Sequence, residues 1–385
     1  MPIPDHQKTL QLLIAGILNS DQKKWLPPDS PIFIQAINQL SCLLALKRST
    51  IPYSLATWLS LFETPLAQWW PGELADLEIQ KDDDLSLMYE RRPEDWLMEY
   101  FEVRGIDPEK IHKGLISFAS EVDQQGIVFV QNWCSETNHP EIYTAYREFL
   151  IRNPFTTLWQ LNEFMIQFNV AIPVKIQSFY EEPSPDRFHE GILWECPYCH
   201  GILKWQHGDP YCIRHNVCGK NSDHYSKRKP IVADPSIRVL KFGSHLRTCT
   251  PGIPEVKLFD EVAGGTIPGV LCVLLWPGCD FYDLRVVFAD GKAWAIDVKD
   301  LGSPSDLRKT IDKGLAKMYI AKGVSGLEWE KAFYVVPDFR LSWKPGYLEI
   351  GRSDALTRGE TDLVAYSKIL TLIKKRALKA LQAGA

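Results

Sequence analysis

Apolar positions recur at helical spacing through most of residues 1–190. Thr9–Leu18 and Pro31–Ala45 carry the pattern most clearly, and Trp96–Val103, Ile111–Val122, Glu141–Ile151 and Phe155–Phe168 repeat it. Pro27-Pro28, Pro71-Gly72 and Asn138-His139-Pro140 punctuate these stretches. Residues 180–190 are polar and Pro-containing and read as a linker. From Pro251 the texture changes. Pro254–Ala263 reads as a helix stopped by Gly264-Gly265, and Val270–Trp276 as a buried strand. Tyr282–Phe288 and Lys292–Lys299 read as two further strands. Ser305–Ala321 is an amphipathic helix closed by Gly323, with Ser303 and Ser305 as cap candidates. Ala332–Pro337 is a fourth strand and Thr361–Leu381 a long terminal helix. The order α-β-β-β-α-β plus a terminal helix predicts a multidomain chain of class α + α/β. Its parts are a helical scaffold or docking domain at 1–190, a small module with a basic connector at 191–250, and an α/β domain at 251–385.

Length and composition agree with this division. A chain of 385 residues has room for two or three domains, and 45% hydrophobic with 24% charged residues is the mix of a folded globular protein. No run of 18 apolar residues occurs, so no membrane span is expected. Met1–Leu10 lacks the basic-then-apolar pattern of a signal peptide, and the expected compartment is the cytoplasm.

Charge is uneven. The formal net charge is −5, and residues 72–109 hold 13 acidic against 4 basic side chains. Residues 204–247 reverse this, with 9 basic against 3 acidic. A basic island in an acidic chain suits a phosphate backbone. Lys227, Arg228, Lys229, Arg238, Lys241 and Arg247 are therefore the candidate nucleic-acid contacts.

Four of the nine cysteines fall within 23 residues, as Cys196-Pro-Tyr-Cys199 and Cys212-Ile-Arg-His215-Asn-Val-Cys218. The first pair has the C-x2-C spacing in which a tight turn points both sulfurs at one ion, and the gap to the second pair suits a β-hairpin. Cys196, Cys199, Cys212 and Cys218 are the expected zinc ligands. His215 has knuckle spacing from Cys212 and is an alternative, and His200 and His207 are weaker ones. Four protein ligands close the shell, so the zinc is expected to be structural.

The second constellation is Asp283, then Asp297-Val298-Lys299. Asp297 and Lys299 share a strand face. A three-residue turn, Ala289-Asp290-Gly291 with glycine in the left-handed region, pairs 288 with 292 and brings 283 opposite 297. In that register Asp280 points to the other face, if the strand extends that far. Adjacent carboxylates on a half-buried sheet need a cation, and Mg²⁺ or Mn²⁺ suits their hard oxygens.

These residues, in that element order, resemble the PD-(D/E)xK nuclease superfamily, the restriction-endonuclease-like fold. The likeness covers about residues 251–340. It departs from the pattern in that no proline precedes Asp283, which leaves Asp280 as a rival first acidic residue. The resemblance implies a metal-dependent DNA endonuclease. Asp283, Asp297 and the Val298 carbonyl hold the metal, Lys299 positions the nucleophile, and a helix glutamate assists, Glu255 in preference to Glu261. Adding the helical N-terminal region, the cysteine module, Trp276-Pro and Trp294-Ala-Ile-Asp-Val-Lys-Asp300 extends the likeness. The whole resembles the endonuclease-like protein of a prokaryotic three-gene defence module built around a PIWI-type protein and a helicase. That implies anti-plasmid or anti-phage work, with those proteins as partners docking on residues 1–190. The competing expectation is a non-catalytic, zinc-containing nucleic-acid-binding or assembly subunit with a nuclease-like fold, and RNA is a second candidate substrate.

Overall fold

The computed structural model describes residues 4–22, 31–52, 54–79, 85–89, 92–94, 96–104, 118–168, 172, 174–206, 208–212, 214, 217–218, 225–265, 267–357 and 359–383. Most of the predicted helix Ile111–Val122 lies outside these residues, as do His207 and His215. The chain divides into two units. The first comprises residues 1–118 with 301–310 and 344–351, and the second comprises 119–300, 311–343 and 352–385.

The first unit contains helices α1 (His6–Gln22), α2 (Pro31–Leu46), α3 (Leu55–Phe62) and α4 (Trp96–Arg104). Ser54 caps α3 with a reciprocal Ser54/Thr57 capping box. Its core joins Leu10, Leu13, Phe33, Leu40, Phe62, Trp96 and Tyr100, all buried. Among the described residues no helix is long and apolar enough to cross a membrane.

The second unit begins with α5 (Phe118–Thr137) and α6 (Pro140–Arg152). The next stretch is not the single helix that its periodicity predicts. Phe155–Thr157 is a strand, β1, and α7 runs Leu158–Ile166. Thr157 is at once the strand's last residue and the N-cap of α7, its hydroxyl accepting from the Gln160 amide. β1 pairs with β7 (Ile237–Leu240), and so does β2 (Tyr180–Glu181). Residues 180–190 are therefore built into the fold and are no linker. Arg187 is buried there and donates to the Ile202 carbonyl at 2.7 Å. The intervening module is made of β3 (Leu193–Glu195), the hairpin β4 (Lys204–Gln206) and β5 (Asp209–Tyr211), and β6 (Lys229–Ile231), which pairs with β3. The residues expected to form a basic connector hold β6, β7 and a π-helical turn, His245–Cys249, that runs into α8 (Thr250–Ala263).

The C-terminal sheet has five strands in the order β8 (Val270–Leu275), β9 (Leu284–Phe288), β10 (Ala293–Val298), β11 (Lys331–Val336) and β12 (Thr361–Ala365). β8, β9 and β10 form an antiparallel meander, and β11 and β12 add in parallel. Helix α9 (Pro304–Lys322) makes the crossover into β11, and α10 (Tyr366–Ala383) closes the chain. The predicted order holds from α8 to β11. Thr361–Ala365, predicted as the start of the terminal helix, is instead a fifth strand. Its Thr-Asp-Leu-Val-Ala run gains backbone pairing along β11 that a frayed helix end lacks.

Every residue of β10 is buried. Trp294, Ile296 and Val298 meet Phe333 and Val335 of β11 and Ile369 and Ile373 of α10 in one core. Burial of each such side chain is worth about 1.5–3 kcal/mol. That core also takes in Ile127, Val130, Tyr143, Tyr146 and Leu150 from α5 and α6.

Candidate active site and cysteine centre

The turn between β9 and β10 sets the site. Gly291 has φ +77°, its amide donates to the Phe288 carbonyl at 2.9 Å, and the Phe288 amide donates to the Lys292 carbonyl at 2.9 Å. The ladder pairs Leu284 with Ile296 and Val286 with Trp294, so its next step sets Asp283 opposite Asp297. Both carboxylates are buried where β10 leaves the sheet. Asp283 accepts the Val298 amide at 2.6 Å, and Lys299 Nζ lies 2.7 Å from Asp297. Burial lowers the pKa of Lys299, but Asp297 and Asp283 more than offset that and hold it above its usual range. Lys299 is a committed cation here, not a base.

Glu255 reaches the same place from α8. It is buried, accepts Trp276 Nε1 at 2.6 Å, and is gripped at both oxygens by Arg147 Nη2 of α6, at 3.0 and 2.9 Å. The same guanidinium bonds Asp280 at 2.7 Å and stands 3.9 Å from Asp283. Nothing in the local sequence around Arg147 marks it. A helical Tyr-x-x-x-Arg step is ordinary, and only the tertiary fold carries it across to the sheet.

Asp280 is not placed as the strand register predicts, because β9 does not extend that far. It sits in a turn with Trp276, Cys279 and Asp280 all left-handed, at φ 44°, 60° and 78°. Such a conformation costs a non-glycine residue about 1–2 kcal/mol. The turn turns Asp280 toward Arg147, not toward the opposite face. Glu261, the other helix glutamate, is exposed and lies near Lys257, one turn away on the solvent side.

The electrostatics are those of a site short of positive charge. Burial raises Glu255 to about 7, with Asp280 adding to the rise and Arg147 opposing it. Burial, and the charges of Glu255 and Asp297, push Asp283 well up. In the metal-free chain such a carboxyl keeps a proton that the unfolded chain has released above its ordinary value of 4.5. The folded form binds more protons, so this group's contribution to stability falls as pH rises from about 4.5 through 7. The loss is about 3 kcal/mol for Glu255. Chemical denaturation of metal-free protein between pH 4.5 and 7.5 should show that decline. Glu255→Gln should reduce its slope, and added Mg²⁺ should offset it.

In the cysteine module, the sulfurs of Cys196, Cys199, Cys212 and Cys218 lie within 4.8 Å of one another, all four buried and none in a disulfide. Hydrogen bonds from the other three thiols push Cys196 far down, while burial raises Cys218. A dry cluster of four thiols around one centre fits a tetrahedral zinc ion and leaves no open position for substrate. His200 is exposed, left-handed at φ 60° and bonded to Glu195 at 2.5 Å, outside the cluster. Among the described residues these thiols form the group of three or more metal-type ligands drawn that close; no three carboxylates of the site do so, and each is held by a cation or amide of the protein.

The module is braced onto the end of β10. Arg214, between Cys212 and Cys218, donates to Asp300 at 3.2 Å, and Arg340 donates to the other oxygen at 2.7 Å. All three side chains are at least 95% buried. Tyr198, inside the first cysteine pair, packs edge-on against Phe339.

Comparison with known families shows what the C-terminal region is similar to. Residues 252–380 match the family model for the REase associating with pPIWI_RE. The curated proteins and the solved structures give no match. The REase-like domain so delimited holds Glu255, Asp280, Asp283, Asp297 and Lys299 and the whole five-stranded sheet. Arg147 and the four cysteines lie upstream of the matched residues.

The six basic residues expected at a phosphate backbone differ in exposure and in partners. Lys227 and Lys229 are exposed, and Arg228 lies over the rings of Trp194 and Trp205, at 4.9 and 5.6 Å. Arg238 is held by Glu182 at 3.1 Å, and Lys241 and Arg247 are half-buried.

Proposed function

We propose that this chain is a Mg²⁺- or Mn²⁺-dependent endonuclease that hydrolyses phosphodiester bonds of DNA in a prokaryotic defence module. The observation that carries the reading is the β9–β10 register, which sets Asp283 against Asp297 with Lys299 one step beyond, at the end of a buried strand. The REase-like match over residues 252–380 supports it.

Asp283, Asp297 and the Val298 carbonyl are the proposed holders of the ion. Bound there, a divalent ion supplies Lewis-acid stabilisation of phosphate charge and acidifies water. Lys299, held protonated by Asp297, orients the attacking water and meets the charge that develops on the phosphate. Glu255 acts from behind this pair, through the charge it sets at Asp283. The Val298 amide fixes the Asp283 carboxylate, so the ligand is preorganised before substrate arrives.

Lys227, Arg228 and Lys229, beside the Trp194 and Trp205 rings, form the proposed edge of the DNA path. Arg238, Lys241 and Arg247 extend it toward α8. The zinc is structural in this reading. The first unit is the proposed docking surface for a PIWI-type protein, a helicase or both; the family's description as associating with pPIWI_RE supports the first of these.

The test is incubation of plasmid DNA with the full chain, with and without its pPIWI partner. Nicking or linearisation is expected in Mg²⁺ or Mn²⁺ and none in EDTA. Cleavage that persists in EDTA rejects the reading.

A further inference from the structure

Arg147 lies outside the matched domain, yet it contacts more of the site's acidic groups than any other side chain there. Its two terminal nitrogens are occupied by protein: Nη2 by both oxygens of Glu255, and Nη1 by Asp280 at 2.7 Å and the Tyr143 hydroxyl at 3.1 Å. The guanidinium lies 4.7 Å over the Trp276 ring, and the side chain is 13% exposed. An arginine so enclosed has few donors left for a phosphate. It acts on the carboxylates.

Its partners are held toward it. The left-handed turn that carries Asp280 is pinned to α5 and α6 by Gln131, which donates to the Cys279 carbonyl at 2.8 Å, and by Thr144, which donates to the Leu275 carbonyl at 3.4 Å. Trp276 Nε1 fixes Glu255 from the other side at 2.6 Å. A strained turn persists only where its surroundings over-determine it. Here they aim one carboxylate at Arg147.

We infer that Arg147 is a built-in cation that withholds Glu255 and Asp280 from metal and makes Asp283–Asp297 a one-ion site. The inference rests on the metal-site reading above and specifies it. With all groups ionised, Glu255, Asp280, Asp283 and Asp297 face Arg147 and Lys299. The cluster is two negative charges from neutral, which one divalent ion supplies. A two-ion site, with ions about 4 Å apart, needs bridging and flanking carboxylates. The flanking candidates are the two that Arg147 holds. Arg147 is thus a positioning residue. Its loss leaves three negative charges and frees two carboxylates to ligate.

The experiment counts Mn²⁺ on the full, zinc-loaded chain by electron paramagnetic resonance and calorimetry, without DNA. Wild type is expected to bind one Mn²⁺. Arg147→Met is expected to bind a second, or to bind the first at least about tenfold tighter, because a positive charge a few ångströms away has gone. The double variant R147M/E255Q restores the two-charge deficit and is expected to return to one ion at wild-type affinity, a rescue that a merely structural role does not give. If R147M does not fold, Asp280→Asn reads the same balance, since it leaves Arg147's charge less compensated; Mn²⁺ should bind about tenfold more weakly. Wild-type binding of one ion with R147M, or D280N in its place, unchanged overturns this inference alone. Absence of Mn²⁺ from wild type overturns the metal-site reading, and this inference with it.

Discussion

Asp297→Asn is expected to lower Mg²⁺-dependent cleavage by roughly 10³-fold or more, about 4 kcal/mol of transition-state stabilisation. The side chain sits on the most buried strand of the sheet and faces Asp283 across the ladder. Asparagine keeps the shape and removes the charge, so the loss falls on the ion and on Lys299, whose ammonium is 2.7 Å away. DNA binding should persist or improve, because a negative charge near phosphate has gone. Lys299→Met should lower the rate by about 10²–10³-fold while Mn²⁺ binding is kept or tightened, since lysine acts on water and on phosphate charge and its own positive charge beside Asp297 has gone. Single-turnover cleavage with the assembled complex, beside a gel-shift titration, separates these effects. Wild-type cleavage by Asp297→Asn rejects the assignment.

The second large effect belongs to the cysteine module. Wild type is expected to hold one zinc per chain and Cys199→Ser to lose it, measured by elemental analysis. Structural zinc sites contribute about 10–16 kcal/mol of binding free energy at neutral pH in small peptides. The module's own apolar core is little more than the thiols, Leu203 and Tyr225, so the chain around them should open and become a protease target. Arg214 then loses its position against Asp300. Removing one member of a buried ion group costs about 3–5 kcal/mol. Asp300 follows Lys299 directly, so the damage should spread to the end of β10. His200→Ala, by contrast, should keep its zinc.

The cysteine set and the Asp283/Asp297 register were legible because each depends on local chemistry. C-x2-C needs a tight turn, and Ala289-Asp290-Gly291 needs a left-handed third residue, which glycine supplies at φ +77°. Strand β12 was not legible, because its Leu363 falls in one helical stripe with Tyr366 and Ile369 of α10, and only pairing with β11 decides between strand and helix. Thr157 was hidden for a related reason: one residue ends a strand and caps the following helix. In the basic stretch the sequence does not grade exposure. Charge counting does not separate Lys227, which is exposed, from Arg238, whose side chain is mostly buried. Arg147 left no signal, since its role exists only where α6 meets the turn at Asp280.

The shared core of the second unit bears on how this protein can be divided. Ile127, Tyr143, Tyr146 and Leu150 lie in one continuous apolar cluster with Val256, Trp276, Ile296 and Ile373. A fragment cut to the matched residues, 252–380, would strip α5 and α6 from α8 and the sheet, and would bare that surface to water. It would also discard Arg147 and Arg214, leaving Glu255 and Asp300 short of their counter-charges inside a low-dielectric interior. The boundary of family likeness is therefore not a boundary of folding, and the smallest self-sufficient piece has to include α5 and α6.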